Sequence, residues 1–143
     1  MNSLGHMTFT RKFLTVAGAT FALTLVATVD ANAAIPFGQV VDGKATFYDD
    51  RGTGACGDPI DASTEVLVAV SPAYWTAPNP NNDPLCRNVF VVATFNGKKV
   101  KARVRDKCMG CGRDHIDLSL PAFRQLADPD RGVINLKWRF VRG

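Results

Sequence analysis

From residue 98 the chain alternates: Val100, Ala102 and Val104 fall on one side, Lys99, Lys101, Arg103 and Arg105 on the other. A period of two predicts a half-buried strand, apolar toward a core and basic toward water, so these charges read as a solvated face. The preceding run Val89–Phe95 is also strand-like, and the Asn96-Gly97 between them is a strong hairpin signal. Gly43–Asp49 (GKATFYD), Glu65–Val70 (EVLVAV) and Val133–Val141 (VINLKWRFV) read as further strands, and Arg51–Gly57 (RGTGACG) as a glycine-rich turn. One helix is expected over Ser119–Ala127. Ser119 would cap it, Pro121 suits its first turn, and Phe123 with Leu126 forms its apolar face. Short strands with one brief helix argue for an all-β barrel rather than a βαβ fold.

The segment Trp75–Pro84 (WTAPNPNNDP) breaks this rhythm. Three prolines and four Asn or Asp in ten positions predict a loop without regular structure. It is either an exposed connector or a preorganised projection, because proline and the nearby Cys86 reduce the entropy lost on binding. On the second reading Trp75, Pro78, Asn79, Pro80, Asn81, Asn82 and Pro84 meet a partner. The pair Tyr74-Trp75 is expected to be exposed at the mouth of this loop, whereas Trp138, in a terminal strand, is expected in the core.

The amino terminus sets the compartment. Arg11 and Lys12 precede an apolar run from Phe13 to about Ala27, followed by Ala31-Asn32-Ala33. A basic start, a short apolar stretch and a small-x-small site describe a secretory signal peptide, residues 1–33, with one domain at 34–143. The run is shorter than the roughly 20 residues of a membrane-spanning helix, so no membrane association is expected after cleavage. Removing Arg11, Lys12 and Asp30 leaves 15 basic and 12 acidic residues, a formal +3. Nothing in that balance resembles a nucleic-acid footprint, and a monomer is expected.

All four cysteines lie in the remaining domain. An even number in a small secreted chain implies disulfides, and four cysteines allow three pairings. Cys108 and Cys111 are close enough to pair locally, which leaves Cys56 with Cys86. A zinc site from Cys108, Cys111 and His115 would need a fourth ligand, and Cys56 or Cys86 could serve only by giving up their bridge. A redox site would need a βαβ setting that the strands do not supply. No metal or cofactor is expected.

Candidate chemistry concentrates in Val104–Ser119 (VRDKCMGCGRDHIDLS). Asp106 ends the alternating strand. Asp117 lies between Ile116 and Leu118, where a carboxylic acid is either a structural acceptor or a proton donor with a raised pKa. Asp49, beside Tyr48, is a possible partner, because glycoside hydrolysis uses two carboxyls.

These motifs have a familiar arrangement. GKATFYD, GACG, Val104-Arg105-Asp106, the Cys-x-x-Cys and HIDLS-x-x-AF together resemble double-psi β-barrels of the expansin, barwin and rare lipoprotein A group. GACGDPIDAS, WTAPNPNNDPLC and DRGV resemble more closely still the family of small secreted papain inhibitors of actinobacteria. The resemblance implies a six-stranded double-psi β-barrel with one short helix and bridges Cys56–Cys86 and Cys108–Cys111. It also implies inhibition of papain-like cysteine proteases without catalysis. Transglycosylases of the group use a histidine and an aspartate. The aspartate matches Asp106, but the histidine position falls at Ser71, which argues against that activity. Expansins keep aspartates matching Asp106 and Asp117, and barrel endoglucanases match Asp117 and the Tyr48-Asp49 region. The alternative is therefore a cell-wall polysaccharide module with Tyr48, Asp49, Asp106 and Asp117 in a groove.

Overall fold

The computed structural model describes residues 34–143; the expected signal peptide, residues 1–33, lies outside the described residues. Eight strands and one short α-helix follow in chain order: β1 (Val41–Tyr48), β2 (Arg51–Thr53), β3 (Pro59–Asp61), β4 (Leu67–Val70), β5 (Val89–Phe95), β6 (Lys98–Lys107), β7 (His115–Ser119), α1 (Leu120–Arg124) and β8 (Ile134–Arg142). Six of the strands close into a barrel in the order β1-β7-β4-β6-β5-β8. The pairs β1–β7 and β4–β6 are parallel, and the other neighbours are antiparallel. The fold is the double-psi β-barrel.

Alternation fills the interior. Val100, Ala102 and Val104 of β6 point inward beside Val91, Ala93, Ile116, Leu118, Leu136 and Trp138. Each buried aliphatic side chain contributes roughly 1.5–3 kcal/mol. Trp138 packs edge-on against Phe140 at 5.2 Å, and its indole N–H donates to the Asp114 carbonyl at 3.0 Å. Asn96 and Gly97 both have positive φ, +47° and +77°, as a type I′ hairpin turn requires. Phe123 of α1 plugs one end of the barrel, 5.0 Å from Phe47.

Four local expectations need correction. The helix ends at Arg124. Ser119 precedes it without capping it; the hydroxyl accepts from the Leu67 N–H at 3.1 Å, joining β7 to β4. Arg51–Thr53 is not only a turn, because β2 pairs with β3 as a small outlying sheet. Tyr74 is not exposed. It is 8% accessible, packs 5.0 Å from Phe140, and its hydroxyl donates to the Arg113 carbonyl at 2.8 Å.

Candidate functional site

Two regions of the surface carry the candidate residues. The first is a groove of about 360 Å³ over β4, lined by Tyr48, Asp50, Asp106, Met109 and Asp117 among others. Its two aspartates flank one residue: Ala69 pairs with Asp106 on β6 and with Asp117 on β7. Two strand spacings place their Cα atoms about 10 Å apart. Strict alternation would turn Asp106 inward with Val104. A bulge prevents this, since Val68 pairs with Val104 but Ala69 pairs with Asp106, which leaves Arg105 as the extra residue. The Arg105 carbonyl so displaced receives the Cys56 N–H at 3.3 Å. A Cβ at Gly54 would sit 2.4 Å from that oxygen, so the close approach needs glycine.

Each acid is held separately. Asp106 Oδ1 accepts from the Ala55 and Lys107 N–H groups at 3.0 and 2.9 Å, and Oδ2 accepts from the Tyr48 hydroxyl at 3.2 Å. Burial, reinforced by the Asp106 charge, pushes the Tyr48 phenol far above its ordinary range, so it stays a donor. Asp117 accepts from the Thr46 hydroxyl at 2.8 Å, and Thr46 Oγ1 lies 2.8 Å from His115 Nε2. With Asp117 ionised, Thr46 must donate to it and accept from His115, which selects the Nε2-protonated tautomer. Burial raises the Asp117 pKa, against the lowering effects of Thr46 and His115. Burial also lowers the His115 pKa, and the nearby Lys44 lowers it further. Asp50, not Asp49, faces this groove; Asp49 is exposed beside it.

At the groove's rim Cys108 and Cys111 form a disulfide with Cα atoms 5.3 Å apart. It presents Met109, 78% accessible, to solvent. No cysteine is free and no metal-ligand cluster exists among the described residues. Ser71, where a transglycosylase histidine would fall, is buried, and its hydroxyl accepts from the Ala73 N–H at 3.2 Å.

The second region is the proline loop. It is not irregular: Pro80–Asn82 and Pro84–Cys86 are 3₁₀ turns, each opened by proline and capped by the residue before it. Asn79 accepts from the Asn81 N–H at 3.1 Å. Asp83, 1% accessible, organises the rest. Its Oδ1 accepts from Leu85 N–H at 2.9 Å, and its Oδ2 accepts from Thr76 and Ala77 N–H at 2.7 and 2.8 Å. Sequence reasoning counted this aspartate as one more loop residue. The Asp-Pro pair was the available signal, because aspartate before proline favours a capped turn. Trp75 anchors the root rather than projecting: half-buried, it donates through Nε1 to the Val70 carbonyl at 3.3 Å. Pro80 is half-buried, whereas Pro78, Asn79, Asn81, Asn82 and Pro84 are exposed. The Cys56–Cys86 disulfide, with Cα atoms 5.5 Å apart, ties the loop to the GACG turn. Gly57, at φ +89°, admits the Asn81 amide where a Cβ would come within 2.8 Å of it.

A closed six-stranded barrel with two parallel pairs, carrying an acid on each strand beside β4, makes this a double-psi β-barrel protein. The family model described as lytic transglycolase matches residues 40–138, and the chain belongs to that family. It is 57% identical over 128 residues to the papain inhibitor of Streptomyces mobaraensis, an alignment covering 89% of this chain and 88% of that protein. The solved structure of a Streptomyces papain inhibitor superposes with a TM-score of 0.75 at 58% identity, covering 76% of this chain and all of that one. An expansin of Clavibacter michiganensis, solved as a mutant in complex with cellohexaose, matches at TM-score 0.60 and 29% identity. That match covers 73% of this chain and 51% of the expansin.

Proposed function

We propose that this chain is a secreted inhibitor of papain-like cysteine proteases, acting through the Trp75–Pro84 loop and without catalysis. The observation that carries the reading is the 57% identity to a papain inhibitor along nearly the whole of both chains. The loop's construction supports the choice of surface. A protease cleaves an extended segment, and this tip is folded into two capped 3₁₀ turns around one buried carboxylate. Extending it would leave three N–H donors without their acceptor, so the loop would fill the cleft without becoming a substrate. Little conformational entropy is then lost on association. The buried serine at position 71 and the absence of a histidine there are in keeping with a binder. The signal peptide belongs to the same reading: amino-terminal sequencing of the exported protein is expected to begin at Ala34.

Titration of papain with residues 34–143, refolded with both disulfides, tests the proposal. Stoichiometric loss of peptidase activity is expected; full activity at micromolar concentrations of the domain would refute it.

A second reading rests on the groove. Asp106, Asp117 and Tyr48 sit in one cavity, and a similar barrel occurs in an expansin solved with cellohexaose. On this reading the groove binds wall polysaccharide. Retention on cellulose, chitin or peptidoglycan that Asp117→Ala abolishes would favour it.

A further inference from the structure

We propose that the outer face of β6, β5 and β8 binds a linear polyol phosphate, a chain of phosphodiesters joined through three-carbon units. Alternation along β6 suggested only a solvated basic edge; strand register turns it into an ordered array. Val92 pairs with Lys101 on one side and Arg139 on the other, and Thr94 with Lys99 and Lys137. Phe90 lies opposite Arg103. Two cationic columns therefore flank an uncharged strip along β5. Among the described residues no carboxylate pairs with Lys99, Lys101, Arg103 or Arg139, and only Lys137 is matched, by Asp42.

The cations are also held down on the sheet. Val92 points away from the barrel core yet is buried, between its cross-strand neighbours Lys101 and Arg139, whose aliphatic stems can cover it. The Lys101 ammonium sits 4.6 Å over the Phe90 ring. Such partly ordered charges lose less entropy on binding than free lysines do.

Spacing selects the ligand. Alternate residues on a strand lie about 6.8 Å apart, and columns two strands apart are separated by about 9.6 Å. A phosphodiester of a three-carbon polyol has six backbone bonds per phosphate, as two peptide residues do, so its extended repeat is about 7 Å. Successive phosphates thus meet successive cations while the chain lies along the strip. Single-stranded nucleic acid has the same bond count, but its binding draws on open aromatic faces for stacking. Phe90, the aromatic on this strip, is covered by Lys101. Of the groove acids, Asp117 lies on β7, and Asp106 lies at the far end of β6, past the bulge and turned into the groove, where the Ala55 and Lys107 N–H groups and the Tyr48 hydroxyl hold it.

The test is fluorescence anisotropy of labelled poly(glycerol phosphate) with the purified protein across a salt series. Phosphate contacts to the four unpaired cations predict a log–log salt slope of about −2.8. Lys101→Glu with Arg139→Glu is expected to weaken binding at least about tenfold and flatten the slope, with the fold retained by circular dichroism. Arg51→Glu with Lys107→Glu, two cations that line the groove, makes the same change of net charge and is expected to cost less than about twofold. Equal losses from the two double variants would overturn the proposal, as would tighter binding of an oligothymidylate or no binding at the lowest salt.

Discussion

The proline loop and the aspartate groove solve the same problem, holding polar groups still at a surface, by different means. In the loop the bonds are local: Asn79 and Asp83 each cap a turn two residues ahead, and the longest reach from Asp83 is seven residues, to Thr76. In the groove they are long-range, with Tyr48 bonded to Asp106 and Thr46 to Asp117. The loop is convex, and its one carboxylate is consumed by backbone donors. The groove is concave, and it holds titratable groups, among them Tyr48 and Asp117, whose pKa values burial raises. A rigid projection suits binding without reaction, while a cluster of acids and donors suits contact with hydroxylated ligands. The two share a boundary, because the Val70 carbonyl accepts from both Trp75 Nε1 and the Cys108 N–H.

Removing the bridges tests this contrast most severely. Cys56→Ala with Cys86→Ala frees a loop of sequence separation 30 and is expected to cost about 3.5 kcal/mol on the chain-entropy model. The clip, with separation 3, is worth about 2 kcal/mol on the same model. Denaturant unfolding of both variants measures the difference, and protease inhibition should suffer only with the first. Next in size is Asp83→Ala, which leaves three N–H groups without their acceptor and should cost about 3 kcal/mol. Inhibition should fall with it, because the tip is no longer held. An unchanged melting temperature would contradict the role given to this carboxylate.

A smaller effect separates binding from folding. Asn81→Ala with Asn82→Ala should weaken papain inhibition about tenfold, or about 1.4 kcal/mol, while stability moves less than about 0.5 kcal/mol. The matched groove variant, Asp106→Asn with Asp117→Asn, should leave inhibition unchanged. The reverse pattern would move the protease contact to the groove.

The smallest effect concerns pH. Burial raises the Asp117 pKa above its ordinary 3.8, so ionisation opposes folding at neutral pH, and that penalty disappears as pH falls through the folded pKa. Asp117→Asn is therefore expected to raise stability slightly at pH 7, by less than about 1 kcal/mol given partial solvent screening, and the melting temperature with it. The gain should vanish below the ordinary carboxylate pKa. Melting curves at neutral and acid pH check the sign.

How much of this was legible in the sequence varies with the range of the interactions. The β5–β6 hairpin could be read from Asn96-Gly97 and the alternation around it, since turn type and period are local properties. The bridges followed from cysteine spacing, and β1, β4 and β8 from their apolar runs. β7 went unassigned because HIDLS is only five residues long and its alternation is hidden among chemistry-bearing side chains. The β2–β3 pair was missed because an outlying sheet of three-residue strands has almost no apolar signature. Tyr74 was misplaced because its neighbours in the chain are loop-forming, while its burial comes from Phe140 and Trp138, more than sixty residues away.

By itself, the sequence determined the elements whose causes lie within a few residues: alternating strands, proline-led caps, the tight clip and the loop's stiffness. Tertiary structure alone decided which acids meet. Only barrel closure places Asp106 and Asp117 on either side of Ala69, and only the bulge at Arg105 turns Asp106 outward. The choice of Asp50 over Asp49 and the pooling of cations across β6, β5 and β8 were settled in the same way. The physical reason is that register joins residues by strand pairing, and no local propensity encodes the partner's number.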